Sequence, residues 1–269
     1  MAEFEHINED KLFCYQYPHP AVTIDCVIFG FDGNAINVLL IERNEPPYLG
    51  SWALPGGFIN MNETAEEAAC RRLREETHLE HISLKQFHTF SEVLRDPRER
   101  VITIAYLALI NKDEQAVVGG NGNSRAEWFK WNELPPVAFD HLKIIQEGRK
   151  FLKDWLKLEP IAFKMLGEQF KMSELQKLYE LINETTYDRR NFQRKMLSSG
   201  YLYDQSEDAS DTPEMSKTIK QPTASYSIIA GATDDKERSQ RISRILTFLQ
   251  EKFDEDQKEN PNGKNPFDL

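Results

Sequence analysis

Residues Gly57–Leu79 read GFINMNETAEEAACRRLREETHL and contain the most informative pattern of the chain. Small and aliphatic residues recur in it at helical spacing, which predicts a helix over residues 63–77. Positions 72, 75 and 76 are three and four residues apart, so they lie on one face of that helix. Acidic side chains at all three positions would form a set of oxygen ligands for a divalent cation bound to a pyrophosphate.

A resemblance to the Nudix box is carried by the spacing Gly57-x5-Glu63-x7-Arg71-Arg72-Leu73-x-Glu75-Glu76-x-His78-Leu79. The family pattern is G-x5-E-x7-R-E-U-x-E-E-x-G-U, where U is a bulky aliphatic residue, and the preceding Pro55–Phe58 matches the family as well. The resemblance implies an α/β protein with the α/β/α sandwich of the Nudix fold. It also implies descent from enzymes that use Mg²⁺ or Mn²⁺ to hydrolyse nucleoside diphosphates linked to another group.

Arg72 is the more consequential of two departures from the Nudix pattern. It replaces a glutamate, which removes a negative charge from the metal site and adds a positive one. At an effective dielectric constant of about 20 and a distance of about 5 Å, this cation opposes a divalent ion by roughly 6–7 kcal/mol before screening. His78 replaces a glycine at the helix end, where a left-handed conformation is common, and this change is milder. We therefore expect no catalysis from the vestigial box residues Glu63, Arg71, Glu75 and Glu76, and only Glu75 and Glu76 remain as ligands if a metal binds.

Residues 15–158 have the pattern of one α/β domain. β-Branched residues predict strands at Ala21–Gly30 and Ala35–Glu42, joined by a turn at Asp32-Gly33-Asn34. The remaining elements are predicted as strands at Lys85–Phe90, Val101–Ile110 and Ala126–Trp131, and as a helix at Leu142–Leu158 that Asp140 caps. Strands and helices mixed in this way are typical of a single domain.

Residues 160–232 have the element order of a winged helix-turn-helix domain. A capping box at Ser173–Gln176 predicts the start of one helix, and Asp188 is the predicted N-cap of a second helix through Leu197. A two-stranded wing is predicted from strands at Tyr201–Tyr203 and Ser225–Ala230. In the extension 233–269 we expect an amphipathic helix over residues 235–253, followed by a disordered polar tail from residue 258.

The region from about residue 18 to 230 resembles the Nudix-related transcriptional regulators. Besides the Nudix box, the segments that carry the resemblance are Arg95–Ile102, Phe139–His141, Ser173–Glu180 and Asp188–Lys195. Members of that family join a Nudix-like domain to a C-terminal winged helix and commonly lose box glutamates. Their Nudix domain serves as a sensor of ADP-ribose or of a pentose such as arabinose. The resemblance implies a homodimer with two partners, a small-molecule effector and a palindromic double-stranded DNA operator.

The surface predicted to contact DNA lies on the helix that follows Asp188. Positions 190, 191, 194 and 195 share one face of this helix, whereas Phe192 and Met196 fall on the opposite side. Arginine can read guanine and asparagine can read adenine, while lysine holds phosphates. The candidate DNA-binding residues are Arg189, Arg190, Asn191, Arg194 and Lys195. A basic helix that is only solvated is the alternative, and the acidic residues between 204 and 214 would be repelled by a phosphate backbone.

The candidate ligand-binding residues are Arg43, Gly57, Arg95, Asp96 and Arg100. Their arginines lie near predicted strand ends and could meet a phosphate or ribosyl group, with an exposed or ion-paired arginine as the alternative for each. Asp96 precedes a proline and could instead start a turn. His141 is interpreted as a buried, hydrogen-bonded histidine, and Cys26 and Cys70 are interpreted as packing residues.

Composition excludes several classes of protein. The chain has 269 residues, of which 40% are hydrophobic and 29% charged, as expected of a globular protein. It carries 44 acidic and 33 basic residues and a formal net charge of −11, which excludes a basic coat for nucleic acid. Its three cysteines contain no CxxC pair, so they predict neither a disulfide framework nor a zinc site. Without a signal peptide or an apolar run long enough for a bilayer, we expect a cytoplasmic protein with no membrane partner.

These observations favour a ligand-responsive bacterial transcriptional regulator. It would bind a sugar or an ADP-ribose-like metabolite in a degenerate Nudix cleft and operator DNA through the winged helix, with no cofactor required. The alternative is an active Nudix hydrolase of the ADP-ribose pyrophosphatase type, which would need Mg²⁺. A third reading, a Nudix-fold binding module whose winged helix contacts proteins, is kept open by the acidic residues of the predicted wing.

Overall fold

Strands rich in buried β-branched residues form the centre of the first of two units. The computed structural model describes residues 16–112, 117, 125–204, 245–260 and 265–269. The chain divides into the units Met1–Asp154 and Trp155–Leu269. In chain order, the first set of elements is β1 (Ala21–Phe31), β2 (Ile36–Glu42), β3 (Trp52–Ala53), β4 (Gly56–Phe58), α1 (Ala65–Thr77), β5 (Lys85–Phe90), β6 (Val101–Asn111), β7 (Ala126–Lys130) and α2 (His141–Leu158).

The strands of the first unit form a mixed sheet that is seven-stranded within the described ranges. The strand order is β3-β2-β1-β6-β5, and in addition β4 pairs with β1 and β7 pairs with β2. β1 and β6 are parallel from the Ala21–Val101 pair onward, and the other pairs are antiparallel. β1 is buried on both faces over most of its length, as its nearly continuous apolar sequence predicts.

Helices cover both faces of this sheet. On one face, α1 packs Ala69 and Leu73 in the same core cluster as Cys26 of β1. On the other face, α2 lies so close that a Cβ added to Gly148 would be 3.4 Å from Val27 Cγ1. Because Cys26 and Val27 are adjacent on a strand, their side chains point to opposite faces. The predicted α/β/α sandwich is therefore confirmed.

The elements predicted for this unit are confirmed, with two corrections to individual residues. The turn at Asp32 forms as expected, since its Oδ1 accepts hydrogen bonds from the main-chain N–H groups of Asn34 and Ala35. Asp140 directly precedes α2 and its carbonyl accepts from the Lys143 and Ile144 N–H groups, but its carboxylate is bound by Arg95 instead of capping the helix. Cys26 is buried, as expected of a packing residue, but Cys70 is exposed and the same interpretation is wrong for it.

The second unit begins within α2 and contains the helix-turn-helix. Its further elements are a 3-10 helix (Ile161–Met165), β8 (Phe170–Lys171), α3 (Met172–Asn183), α4 (Arg189–Ser198), β9 (Leu202–Asp204), β10 (Ile245–Phe248) and α5 (Gln250–Glu259). The strands form a sheet in the order β8-β10-β9. Within the part of the chain that the structure describes, no helix is long and apolar enough to span a bilayer.

Aromatic side chains form the core of the second unit. The rings of Tyr179 on α3 and Phe192 on α4 meet edge to face, with centroids 5.6 Å apart. The rings of Phe163 and Phe248 are stacked with centroids 4.1 Å apart, and Phe267 contacts both. The winged helix predicted from the order of the elements is confirmed as the fold class of this region.

The prediction for the C-terminal extension is wrong in two respects. Residues Ile245–Phe248, expected within a helix over residues 235–253, form a strand paired with β9, and the helix runs over Gln250–Glu259 instead. The tail expected to be disordered contains Phe267, which is fully buried, and Asn265, whose Nδ2 donates to the Leu156 carbonyl at 2.9 Å. A short apolar run is compatible with either a helix or a strand, so its pairing decides between them.

Two local predictions in this unit have different outcomes. The capping box at Ser173–Gln176 is wrong, because the N-cap is Lys171, two residues before Ser173, and the Lys171 N–H donates to the Glu174 carboxylate. The predicted N-cap at Asp188 is confirmed, since its carboxylate accepts from the Asn191 N–H at 2.9 Å. The wing strand predicted at Ser225–Ala230 lies outside the described residues.

Candidate functional site

A cleft of about 320 Å³ opens in the first unit where α1 meets the ends of several strands. Asp25 of β1 lies in it, together with Gly56–Phe58 of β4 and Phe139 before α2. The acidic and arginine side chains that line it are Asp25, Glu42, Arg43, Glu45, Arg72, Glu76, Arg95, Asp96 and Arg98. The cleft therefore offers anion-binding groups among carboxylates rather than a uniformly basic wall.

Arg71 holds the loop that leads from β4 into α1. Its Nη2 and Nε donate to the two carboxylate oxygens of Glu63 at 2.6 and 2.8 Å, and it also donates to the Phe58 carbonyl and to Glu75. This guanidinium lowers the pKa of Glu63 to about 2. Glu63 and Arg71 are thus paired with each other, and their hydrogen bonds join the loop to α1.

Arg72 lies between the two remaining carboxylates of the Nudix box. Its Nη1 is 3.8 Å from Glu75 Oε2 and 3.8 Å from Glu76 Oε1. Glu76 also accepts a hydrogen bond from the Gly56 N–H at 2.9 Å. Burial raises the pKa of Glu76 to about 7, against the opposing effects of that N–H and of Arg72.

The residues present do not fit the divalent ion that the Nudix fold implies. A divalent ion on Glu75 and Glu76 would have to share their oxygens with the Arg72 guanidinium. Among the described residues, no group of three or more His, Cys, Asp or Glu side chains is placed to hold a metal ion. The hard oxygen cage that Mg²⁺ prefers is therefore incomplete in this chain.

A buried ion network forms beneath the cleft. Arg95 is bidentate to Asp140, at 2.7 and 3.0 Å, and donates to Asp25 Oδ2 at 3.2 Å. His141 Nδ1 accepts from the Leu54 N–H at 2.9 Å, which places the ring proton on Nε2, 3.4 Å from Asp25 Oδ1. Burial lowers the pKa of His141, which favours the neutral ring in the folded protein. The interpretation of His141 as a buried, hydrogen-bonded histidine is confirmed.

Two arginines flank the ring of Phe139 at the mouth of the cleft. The Cζ of Arg43 is 4.8 Å from the ring centroid and that of Arg98 is 5.5 Å away. Burial and the nearby Arg98 lower the pKa of Arg43. Phe139 itself has a φ of 52°, a left-handed conformation that a bulky residue adopts only when its surroundings enforce it. The two positive charges beside this half-buried ring are suited to an anion.

The structure brings four of the five predicted ligand residues to the cleft. Arg43, Gly57, Arg95 and Asp96 line it, although Arg95 is already paired with carboxylates. Arg100 is not part of the lining, because its guanidinium donates to the carbonyls of Ser91, Glu92 and Val101.

Arg98 is a cleft residue that sequence reasoning missed. Its guanidinium is bidentate to Asp96, at 3.0 and 2.7 Å, and its Cζ is 5.2 Å from the Phe58 ring. The available signal was the turn predicted at Asp96-Pro97, because a turn brings the residue two positions later back toward the aspartate.

The second candidate site is the outer face of α4. Phe192 and Met196 are buried, as predicted, while the five candidate residues for DNA binding are exposed: Arg189, Arg190, Asn191, Arg194 and Lys195. Arg194 donates to Asn191 Oδ1 at 2.7 Å, and the Lys195 ammonium donates to the carbonyl of Asp268. The predicted face is therefore present as a surface, with three of its members, Asn191, Arg194 and Lys195, engaged in local contacts.

Together, the sandwich with a Nudix box and the winged helix define a two-part protein of the Nudix-related class. A NUDIX domain model matches residues 19–152, and a model of the NrtR DNA-binding winged helix domain matches residues 162–228. The chain is 32% identical over 204 residues, 73% of its length and 81% of the relative, to the ADPR responsive transcriptional repressor NtrR of Acinetobacter baylyi. This chain belongs to the family of Nudix-related transcriptional regulators.

Two further likenesses cover different parts of the chain. The ADP-ribose pyrophosphatase of Methanocaldococcus jannaschii is 40% identical over 131 residues, 49% of this chain and 74% of that protein. The crystal structure of Shewanella oneidensis NrtR superposes with a TM-score of 0.60 and 29% identity, over 69% of this chain and 88% of that one. The hydrolase likeness thus spans about half of the chain, whereas the regulator likenesses reach further.

Proposed function

We propose that this chain binds ADP-ribose, or a closely related nucleoside diphosphate sugar, in the cleft of its Nudix-like domain, residues 15–158. We propose that it binds operator DNA through its winged helix domain, residues 160–232. The observation that carries the proposal is Arg72, which lies among the carboxylates where a hydrolase holds its metal. A cleft altered in this way favours binding of a diphosphate over its hydrolysis. The A. baylyi relative, whose name records a response to ADPR, supports the choice of effector.

Within the cleft, we assign the ligand contacts to Arg43, Gly57 and Asp96, with Arg98 added from the structure. Arg95 is assigned to supporting the cleft floor, because its guanidinium is held by Asp25 and Asp140. Arg100 is not carried into the proposal, since it does not line the cleft and its guanidinium donates to main-chain carbonyls on another side.

For the DNA-binding unit, we assign base and phosphate contacts to the exposed face of α4. The match to a DNA-binding winged helix model supports this assignment. We propose that two copies of the chain bind the two halves of a palindrome in the cytoplasm, as paired recognition helices do in other helix-turn-helix proteins.

The experiment that tests this function measures DNA binding in the presence of candidate effectors. Fluorescence anisotropy would be recorded with labelled duplexes from the DNA that flanks the chain's own gene, with ADP-ribose, arabinose or no addition. We expect a preferred palindrome whose affinity is changed about tenfold or more by ADP-ribose, within the usual range of coupling between two sites. A larger response to arabinose would replace the nucleotide sugar by a pentose as the effector. The proposal fails if no duplex is preferred over scrambled DNA.

A second candidate function, Mg²⁺-dependent hydrolysis of ADP-ribose, is favoured by the likeness to the M. jannaschii pyrophosphatase. It predicts release of AMP and ribose 5-phosphate that stops on chelation of the metal and in the Glu76→Gln variant. If Arg72 has removed this activity, the unmodified chain should be inactive, and Arg72→Glu should raise its affinity for Mg²⁺.

A further inference from the structure

Arg72 differs from the other arginines of the cleft in having donors without acceptors. Arg43 donates to the Pro47 carbonyl at 2.9 Å, Arg95 to Asp140 at 2.7 Å, and Arg98 to Asp96 at 2.7 Å. Arg72 approaches Glu75 and Glu76 only to 3.8 Å, which is beyond hydrogen-bond length. Its Nε is buried and has no hydrogen-bond partner among the described residues.

A buried donor without an acceptor is unfavourable and needs an explanation. The neighbouring Arg71 shows that a guanidinium on α1 can find acceptors, since Arg71 donates to Glu63, Glu75 and the Phe58 carbonyl. The Arg72 guanidinium lies instead on the lining of the cleft. The Arg72 side chain is 29% exposed although its Nε is buried, so a molecule in the cleft can supply acceptors to its terminal Nη groups.

Gly57 is the residue that makes room for this guanidinium. A Cβ added to Gly57 would lie 2.7 Å from Arg72 Nε and 2.7 Å from Nη2. The position of Arg72 against the β4 backbone thus depends on a missing side chain. The space beside Gly57 lets the Arg72 guanidinium lie against the wall of the cleft that the Nudix box builds.

We propose that Arg72 takes the place of the divalent ion in this cleft. Its charge offsets part of the negative charge of Glu75 and Glu76, and its N–H groups donate to the diphosphate of the bound nucleotide sugar, so binding needs no metal. A planar guanidinium can donate two parallel hydrogen bonds to one phosphate, which a hydrated metal ion would otherwise bridge to the carboxylates. The inference rests on the proposed function for the identity of the ligand, but its chemistry concerns the diphosphate group.

Isothermal titration calorimetry with the full chain tests the inference. ADP-ribose would be titrated in EDTA and in excess Mg²⁺ against the unmodified chain, Arg72→Gln and Arg72→Glu. We expect the unmodified chain to bind equally in both buffers, and Arg72→Gln to lose about tenfold to a hundredfold in both, the usual cost of losing a hydrogen bond to a charged group. Arg72→Glu should bind weakly in EDTA and recover in Mg²⁺.

Matched variants separate a local effect from a loss of folding. Arg74→Gln removes an exposed arginine from the same helix and should bind like the unmodified chain. Arg72→Lys keeps the charge without the planar fork and should bind with intermediate affinity. Thermal unfolding of each variant would establish that it is folded before its affinity is compared.

The outcomes distinguish this inference from the proposed function. Binding of ADP-ribose only in Mg²⁺, or unchanged binding by Arg72→Gln, overturns the role of Arg72 while the effector stands. If ADP-ribose does not bind in either buffer, the proposed effector fails, and inorganic pyrophosphate becomes the probe of the diphosphate site. Pyrophosphate binding that Arg72→Gln weakens supports the inference, and the absence of pyrophosphate binding overturns it.

Discussion

The Arg72 guanidinium lies directly against Gly57, so closely that a single added methyl group would collide with it. This contact joins the first glycine of the Nudix box to the position where the box has lost a glutamate. A substitution at Gly57 can therefore move the positive charge of Arg72 within the cleft without changing the net charge of the chain.

Gly57→Ala should displace Arg72 and weaken ADP-ribose binding about tenfold, by loss of a hydrogen bond to a charged group. Its φ of 153° adds a backbone cost. Gly33→Ala is the matched control, because Gly33 has a φ of 84° but no atom within 4 Å of the added Cβ. Both variants should lose about 1–2 kcal/mol of stability from the backbone conformation. Calorimetry should find the loss of affinity for ADP-ribose in Gly57→Ala alone. An equal loss in Gly33→Ala would contradict the claim that the contact between residue 57 and Arg72 controls binding.

Asp140→Asn should destabilise the first unit by about 3–5 kcal/mol, because it leaves the buried Arg95 charge without its main partner. The side chains of Arg95 and Asp140 are 4% and 17% exposed. Glu133→Gln is the control, since the Lys130–Glu133 pair is exposed and worth about 0–1 kcal/mol. Urea unfolding would measure the free energy of unfolding of both variants. A loss in Asp140→Asn as small as that in Glu133→Gln would show that the buried network is not important for stability.

His141 should make the stability of the first unit fall as the pH falls below about 6.5. Burial lowers the pKa of His141 in the folded chain, so below the ordinary pKa the unfolded chain binds more protons and is favoured. Free energies of unfolding would be compared at pH about 7.5 and about 5.5 for the unmodified chain and for His141→Gln, which removes the titrating group. The pH-dependent loss should be smaller in His141→Gln, and an identical loss in both would assign it to other groups.

Arg190→Ala should weaken binding to the preferred duplex and reduce the dependence of log affinity on log salt by about one unit if Arg190 binds a phosphate. If Arg190 reads a base instead, the loss should be about 1–3 kcal/mol at one base pair with little change in the salt slope. Arg74→Ala removes the same charge from the exposed face of α1 and serves as the control. Equal effects of the two variants would mean that net charge alone governs DNA binding.

Phe267→Ala should destabilise the second unit by about 3–5 kcal/mol, the usual cost of truncating a buried phenylalanine. Phe267 is fully buried and its ring meets those of Phe163 and Phe248. Leu269→Ala, at a residue that is 39% exposed, should change stability by less than about 0.5 kcal/mol. Amide hydrogen exchange of α3 and α4 would report the loss, and unchanged protection in Phe267→Ala would contradict a packing role for this segment.

Patterns that are local in sequence predicted much of the first unit. The i, i+3 and i+4 spacing of Arg72, Glu75 and Glu76 placed them on one face of a helix, and the structure brings their charged groups within 3.8 Å. His78 has the left-handed conformation that its place at the helix end predicted, with a φ of 58°.

Tertiary partners explain what sequence reasoning missed. Arg95 meets Asp140 and Asp25 across 45 and 70 residues of chain, so no spacing pattern reveals that its donors are already satisfied. The strand at Ile245–Phe248 has the apolar spacing of a helix, and only its pairing with β9 defines it. Arg98 and Arg100 are chemically alike, and only the direction of the backbone after Pro97 decides which one reaches the cleft.

The burial of Phe267 also sets an order of events during synthesis. The strands of the second unit come from residues 170–171, 202–204 and 245–248, and the unit is closed by a phenylalanine further along the chain. At about 5–20 residues per second, a nascent chain exposes its first unit well before Phe267 has left the ribosome. The first unit can therefore fold while the second unit still lacks the aromatic side chain that closes its core.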